Sequence, residues 1–234
     1  MKRKLKTENL VDKKSTEKYL AIEGKWIKSN IKNQFQNPLK VSSSITLDLQ
    51  TFYNIGLWMG DKYVYGGSVG LTNTSEELVS EFKNFLKSLV NEKRRIIEKR
   101  INEGKAKRVY VNSWILRRVL ENFGKNINQL VRTEAELFAY LSGKIDADGT
   151  IMSQNIFNKS GLIKITYGNI KEAISDRKLF KKFGLRCVIL PYKNRNAWDL
   201  KFSYLSSLKI LKVLSLRHPE KKIKIEVLTR LTRR

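Results

Sequence analysis

Between residues 46 and 216 the apolar positions trace nearly the same succession of elements twice. The first pass opens on LQTFYNIGLWMG, a helix predicted to start at an N-cap near Asp48 and to run to Gly60. A short hairpin follows in YVYGGSVGLT, with its turn at residues 66–67. Thr74-Ser-Glu-Glu77 has the form of a capping box, and Leu78, Phe82, Phe85, Leu86 and Leu89 recur behind it at helical spacing. RRIIEKRINEGKAKRVYVN predicts a second hairpin turning near Gly104, and WILRRVLENF at 114–123 a closing helix.

The second pass begins with another capping-box pattern, Thr133-Glu-Ala-Glu136, ahead of LFAYLSGKIDADG. TIMSQNIFNKSGLIKITY predicts strand, turn and strand. Asn169-Ile-Lys-Glu172 caps a helix that carries Ala173, Ile174, Leu179, Phe180 and Phe183. LRCVILPYKNRNAWDLKFS predicts a hairpin turning at 194–196, and a closing helix follows at 205–216. Each half therefore reads helix, two strands, helix, two strands, helix, and the short link at 124–132 suits halves packed side by side. Three segments follow: a polar N-terminal extension at 1–45 with an apolar cluster at Tyr19, Leu20, Ile22, Trp26 and Ile27, a first repeat at 46–128, and a second at 129–234 ending in a basic tail.

Charge narrows the partner. The 234 residues hold 47 Lys and Arg against 22 Asp and Glu, a net +25, on a chain that is 41% apolar. A folded body this cationic repels its own copies and attracts polyanions, so nucleic acid is the expected partner. No stretch is apolar and long enough to span a bilayer, and the basic N-terminus lacks a signal-peptide core, so an intracellular location is expected. Cys187 is the single cysteine and His218 the single histidine. Disulfides, thiolate-based zinc sites and multi-histidine metal sites are thereby excluded within the chain.

The candidate chemistry lies in small residues and acids. Gly56 and Gly60 in the first helix, and Gly143 and Ala147 in the second, stand four apart and so share one helical face. Asp61 and Asp148 come directly after the second small residue of each pair. If the two small faces meet, both carboxylates arrive together at one end of the helix pair. Adjacent carboxylates raise each other's pKa unless a cation neutralises them, and such hard oxygen donors suit Mg²⁺. An Asp-Gly pair closing a helix serves equally as turn chemistry, with the glycine at positive φ. Asp146 has Met59 as its counterpart, which favours a structural capping role.

The nonapeptide LSGKIDADG at 141–149 differs at two positions from the signature of the LAGLIDADG homing endonucleases, and NIGLWMGDK at 54–62 is a weaker copy. Residues 46–216 resemble a single-chain, two-repeat member of that family. The resemblance implies an α+β fold of two pseudo-symmetric αββαββα repeats, each with a saddle-shaped antiparallel sheet, packed through the two motif helices. It implies that Asp61 and Asp148 are the metal-binding catalytic acids and that the carbonyls of Gly60 and Ala147 join the metal shell. Mg²⁺ is the expected ion, with Mn²⁺ or Ca²⁺ also able to bind. The implied reaction is cleavage of both strands of duplex DNA across the minor groove by a monomer. Lys62 stands where the motif has glycine, either as a phosphate contact or as a surface lysine, and Lys144 replaces an apolar residue and is expected to point off the helix interface.

Asn73, at the end of the second strand, is a candidate partner of the acids, with Arg117 or Arg118 as weaker ones. Strand alternation places Arg108, Tyr110 and Asn112 on one face. Gln154, Lys164, Lys193, Arg195 and Lys201 occupy strands or turns that would enter a major groove, where Arg and Lys suit guanine and Asn and Gln suit adenine. The leading expectation is a double-strand DNA endonuclease with a long asymmetric target. The alternatives are an intron-encoded RNA maturase, with intron RNA as partner, and a non-cleaving DNA-binding regulator on the same scaffold.

Overall fold

Two helices packed backbone to backbone form the spine of the molecule. A computed structural model describes residues 3–11, 20–29, 39–152, 159–192 and 195–232. Helix α1 (Leu49–Asp61) starts at Asp48, whose carboxylate accepts from the Thr51 amide at 2.8 Å. Helix α5 (Glu134–Asp148) starts with the full capping box, Thr133 accepting from the Glu136 amide and Glu136 returning to the Thr133 amide. A Cβ placed on Gly56 would lie 2.0 Å from the Tyr140 carbonyl oxygen, and one on Gly143 would lie 2.0 Å from the Tyr53 carbonyl oxygen. Only glycine permits that approach, and the reciprocity makes the contact pseudo-two-fold. Burial is all-round from Thr51 to Trp58 because α1 is wedged between the other half and its own sheet.

Each spine helix continues into a four-stranded antiparallel sheet. In the first half β6 (Lys62–Tyr65), β7 (Ser68–Asn73), β8 (Ile97–Ile101) and β9 (Ala106–Asn112) lie in the order β6-β7-β9-β8. In the second, β10 (Gly149–Ile151), β11 (Ile163–Tyr167), β12 (Cys187–Pro191) and β13 (Trp198–Phe202) lie in the order β10-β11-β13-β12, the same topology. Between the hairpins run α2 (Glu76–Leu89) and α6 (Ile170–Lys182), and each half closes with α3 (Trp114–Lys125) or α7 (Tyr204–Leu211), with a one-turn α4 (Ile127–Leu130) in the link. Val69, Leu71, Val109 and Val111 face the core in the first sheet; Ile163, Ile165, Leu200 and Phe202 do so in the second. The expected α+β architecture of two αββαββα repeats is therefore present.

Several local expectations shift. The cap of α2 is Ser75, accepting from the Leu78 amide, one residue beyond the predicted Thr74. Helix α7 ends at Leu211 rather than 216, and the chain turns at residues 212–213. Of the apolar positions on α6, Ala173, Leu179 and Phe180 are buried and Ile174 is exposed. The described parts of the first 45 residues pack onto the body: β1 (Arg3–Lys6) pairs with β5 (Ser44–Leu47), and β2 (Leu20–Glu23), β3 (Trp26–Ser29) and β4 (Val41–Ser42) form a small sheet. Leu10, Val11, Ile27, Leu39 and Val41 are buried there, and Arg3 reaches across to Glu136 at the head of α5. Tyr19 lies outside the described residues. Residues within the stretch that reads as a basic tail form α8 (Pro219–Thr232), whose Leu228 is fully buried.

Gly143→Ala tests the spine. Helix propensity alone would favour alanine by about 1 kcal/mol, but overpacking against the Tyr53 carbonyl is expected to cost on the order of 3 kcal/mol. Urea unfolding should show a net loss of stability; an unchanged or raised midpoint would mean the helices are not in backbone contact.

Candidate functional site

The spine delivers both acids to one place. Asp61 and Asp148 are the last residues of α1 and α5, and both are partly buried. A Cβ on Gly60 would lie 2.3 Å from the Ala147 Cβ and 3.1 Å from Asp148 Oδ2, so the Asp148 carboxylate sits against the backbone of the residue that precedes Asp61. Gly149 is the C-cap of α5 with φ −80°, extended rather than left-handed. The turn reading of the Asp-Gly pair with positive φ does not apply; the glycine is needed because a Cβ would meet the Ile145 Cα at 2.5 Å.

Electrostatics register the pairing. Burial, and then the charge of Asp148, push Asp61 up to about 6, opposed by the hydrogen bond from Asn73 and by the charges of Lys221 and Lys144. Burial also raises Asp148, opposed by Lys144 and Lys221. The Asn73 amide nitrogen donates to Asp61 Oδ2 at 2.6 Å, while its Oδ1 accepts from the Ser75 amide at 2.6 Å, which fixes the amide's orientation. Strand register makes Tyr167 the counterpart of Asn73: Lys62 pairs with Leu71 as Gly149 pairs with Ile165. The Tyr167 hydroxyl instead donates to Asp176, so Asp148 has no equivalent amide partner from that position.

Among the described residues no group of three or more His, Cys, Asp or Glu side chains could hold a metal. Two carboxylates nevertheless suffice for an ion that keeps several waters and takes phosphate oxygens as further ligands. The carbonyls of Gly60 and Ala147 lie in the last helical turns, where the intrahelical donors run out. Ala147 also accepts from Lys221 at 3.1 Å, leaving its second lone pair for another partner. The donor set, two mutually repelling carboxylates and two backbone carbonyls, fits a hard divalent cation.

Lys144 leaves the helix seam, as its position implied, but enters the core of the second half. It is 1% exposed, 3.6 Å from Asp176 and 4.4 Å from the centre of the Tyr167 ring. Tyr140 and Tyr167 both donate to Asp176, at 2.9 and 2.8 Å, so the buried charges are paired and hydrogen-bonded. Asp146 is structural: fully buried, it accepts from the Tyr53 hydroxyl at 2.7 Å and from the amides of Arg217 and His218. Burial pushes the Cys187 thiol up to about 11, so it is no ready nucleophile.

Of the predicted reading residues, Arg108, Tyr110, Asn112, Lys164 and Lys201 lie on strands, on the faces opposite the buried Val109, Val111, Ile165 and Leu200, and Arg195 lies in the turn before β13. Arg108 donates to Thr72 at 3.0 Å and lies 4.0 Å over the Tyr63 ring, which meets Tyr110 edge-on at 5.4 Å. Asn112 accepts from Ser68 at 2.7 Å. Lys164 pairs with Asp199 at 2.8 Å, Lys201 donates to Ser160 at 3.2 Å, and Arg195 lies 5.7 Å from the Tyr192 ring. Lys62 pairs with Glu172 across the two halves, not with Asp61. Arg117 is held by Glu121 at 2.8 Å and by the Gly66 carbonyl at the hairpin turn; Arg118 faces Glu121 at 3.7 Å. Gln154 and Lys193 lie outside the described residues. The charge that sequence reading missed is Lys221 on α8. The sequence signal for that helix was Pro219 at its start, followed by apolar residues at Ile225 and Leu228, but it does not single out Lys221.

Without divalent metal, Asp61 should lower stability as pH rises. Its folded pKa of about 6 exceeds the ordinary 3.8, so the folded state holds the proton more tightly. That contribution is complete below about 4 and lost as pH rises through 6, up to a bound of about 3 kcal/mol. Thermal melts in EDTA at pH 4.5 and 7.5 should therefore differ less for Asp61→Asn than for the wild type, and Mg²⁺ should restore wild-type stability at pH 7.5. Equal pH slopes in the two proteins would refute the coupling.

Comparison with known proteins bears on the fold that carries this site. Residues 52–128 match the family model of the LAGLIDADG-like domain. This segment contains the first, weaker motif copy. A mesophilic variant of the homing endonuclease I-DmoI superposes with a TM-score of 0.54 at 20% identity, covering 71% of this chain and 94% of that one. I-DmoI in complex with DNA and Mn gives a TM-score of 0.54 at 19% identity over 72% of this chain and 97% of that one. Full-length DUF199/WhiA from Thermatoga maritima gives 0.51 at 15% identity, covering 79% of this chain and 60% of that one. One curated relative, an A-type ATP synthase protein of Methanopyrus kandleri, is 29% identical over 156 residues. That match takes in 66% of this chain but only 14% of the relative's length. Residues 52–128 thus match a LAGLIDADG-like domain, and the chain has the fold of the homing endonuclease I-DmoI.

Proposed function

We propose that this protein is a site-specific endonuclease that cuts both strands of duplex DNA across the minor groove, using divalent metal held by Asp61 and Asp148. The observation that carries the reading is the meeting of one aspartate from each repeat at the base of a seam closed by Gly56 and Gly143. A divalent cation held by these acids would supply an activated water nucleophile and charge stabilisation at the leaving oxygen. The chain's own part is positional. Asn73 holds the Asp61 carboxylate, and the last turns of α1 and α5 present the Gly60 and Ala147 carbonyls. No histidine base is required. Mg²⁺ is the ion we assign, and Mn²⁺ and Ca²⁺ are offered by analogy with I-DmoI, which has been solved in complex with DNA and each of these two.

Both acids come from one chain, so a monomer suffices, with repeats at 46–128 and 129–234. The repeats differ in sequence and in the residues on their open sheet faces, so the target is asymmetric. Arg108, Tyr110 and Asn112 on one sheet and Lys164, Arg195 and Lys201 on the other are the candidate contacts, each good bidentate base pairing being worth about 1–3 kcal/mol. The net +25 supplies the sequence-independent attraction to phosphate. Lys62, already paired with Glu172, is a phosphate contact only if that ion pair opens.

Incubating the full chain with a randomised duplex library, with and without Mg²⁺, tests the reading. Cleavage at one long sequence, only with metal, is expected. Asp61→Asn and Asp148→Asn should each lower the cleavage rate by at least about 10³-fold, a loss of about 4 kcal/mol of transition-state stabilisation, while binding stays within a few-fold. Selective binding with no cutting under any divalent ion would favour the non-cleaving regulator, and selective binding of structured RNA the maturase. Affinity for duplex should also fall with salt at a log–log slope of about −0.9 per phosphate contact; a flat salt response would contradict the basic-face assignment.

A further inference from the structure

The two acids are held by different devices, and the second device comes from α8, which follows the αββαββα elements of the second half and has no counterpart in the first. Behind Asp148, the Lys221 ammonium donates to three consecutive carbonyls at the end of α5: Ile145 at 2.7 Å, Asp146 at 2.8 Å and Ala147 at 3.1 Å. The Asp146 and Ala147 carbonyls are ones that the helix end leaves without intrahelical donors, while the Ile145 carbonyl also accepts the Gly149 amide. A cation there is favoured by the helix dipole, and it offsets the unfavourable placement of the Asp148 carboxylate at the dipole's negative end.

The clasp is reciprocal. The Asp146 carboxylate accepts the amides of Arg217 and His218 at 2.8 and 3.2 Å, fixing the chain where α8 begins. Ser142 accepts the Ser215 amide at 3.2 Å. The Arg217 side chain crosses to the first half, donating to Gln50 at 2.6 Å, pairing with Glu81 and lying 4.1 Å over the Tyr53 ring. Buried Leu228 and the partly buried Ile225 then hold the rest of α8 in place.

We propose that Lys221 is a positioning residue for the second acid: by tying off the carbonyls of Ile145, Asp146 and Ala147 it sets where the Ala147 oxygen and the Asp148 carboxylate point, as Asn73 does for Asp61. This rests on the endonuclease reading for its catalytic consequence. A lysine ammonium has three donors, and all three are used here, so Lys221 has none left for a DNA phosphate. Its role is therefore separable from that of an ordinary phosphate anchor.

The test uses the full chain, the duplex recovered from the library selection, and the variants K221M and K221R. Single-turnover cleavage with Mg²⁺ should fall at least about tenfold in K221M while the duplex Kd, measured with Ca²⁺ in place of Mg²⁺, stays within about twofold; K221R should recover part of the rate. Hydrogen exchange should quicken at the amides of Asp148 and Gly149 in K221M and stay unchanged at Asp61. Three results would each overturn the proposal: a wild-type rate in K221M, a rate and an affinity that fall together, or unchanged exchange at Asp148. If K221M does not fold, K221Q replaces it under the same criteria. If the wild type cuts no duplex, the endonuclease reading fails, while the exchange comparison still decides the role of Lys221.

Discussion

Glycine against backbone is the contact on which the rest of this structure depends. With Gly56 beneath the Tyr140 carbonyl and Gly143 beneath the Tyr53 carbonyl, α1 and α5 approach more closely than any side chain would allow. That distance determines whether Asp61 and Asp148 share one basin or open onto two. It also makes each motif helix part of the other half's core, so the repeats are joined through their most buried elements. The catalytic geometry proposed for the chain is thus a consequence of packing, with the acids placed by helix length and small-residue spacing.

The halves are alike in topology and unlike in how they hold their acids. Asp61 receives an amide from its own sheet, at Asn73, whereas the corresponding strand position in the second half is Tyr167, committed to the buried Lys144–Asp176 cluster. Asp148 is served instead by α8, which has no counterpart in the first repeat. The same asymmetry appears on the open faces. Arg108 and Tyr110 stack with Tyr63 on one sheet, while exposed Val188 and Leu190 lie near an internally paired Lys164 and Asp199 on the other. Two such surfaces would meet different base sequences, as a single chain recognising an asymmetric target requires.

Much of this was legible in the sequence because it is local or periodic. Helix caps at Asp48, Thr133 and Asn169, turns at Gly66 and Gly104, and the spacing of small residues before each acid all leave a signature within a few residues. What was not legible depends on contacts distant in sequence. Lys221 meets carbonyls some 75 positions earlier, and nothing in PEKKIKIEV distinguishes that lysine from its neighbours. Lys62 reads as a cation beside Asp61 but is claimed by Glu172, a residue 110 positions later. The small-residue pattern showed that the helices would pack; it did not reveal that Lys144 would be buried, since only the Asp176 and tyrosine cluster makes that burial affordable.

The central claim is that Asp61 and Asp148 form one shared cation basin. Anomalous diffraction from crystals of the protein soaked in Mn²⁺ addresses it directly. The account predicts anomalous density at the foot of the α1–α5 seam, within about 2.0–2.4 Å of oxygens from both aspartates, as expected for carboxylate ligation of a hard divalent ion. Density bound to one aspartate alone, or found only at other sites on the surface, would contradict it.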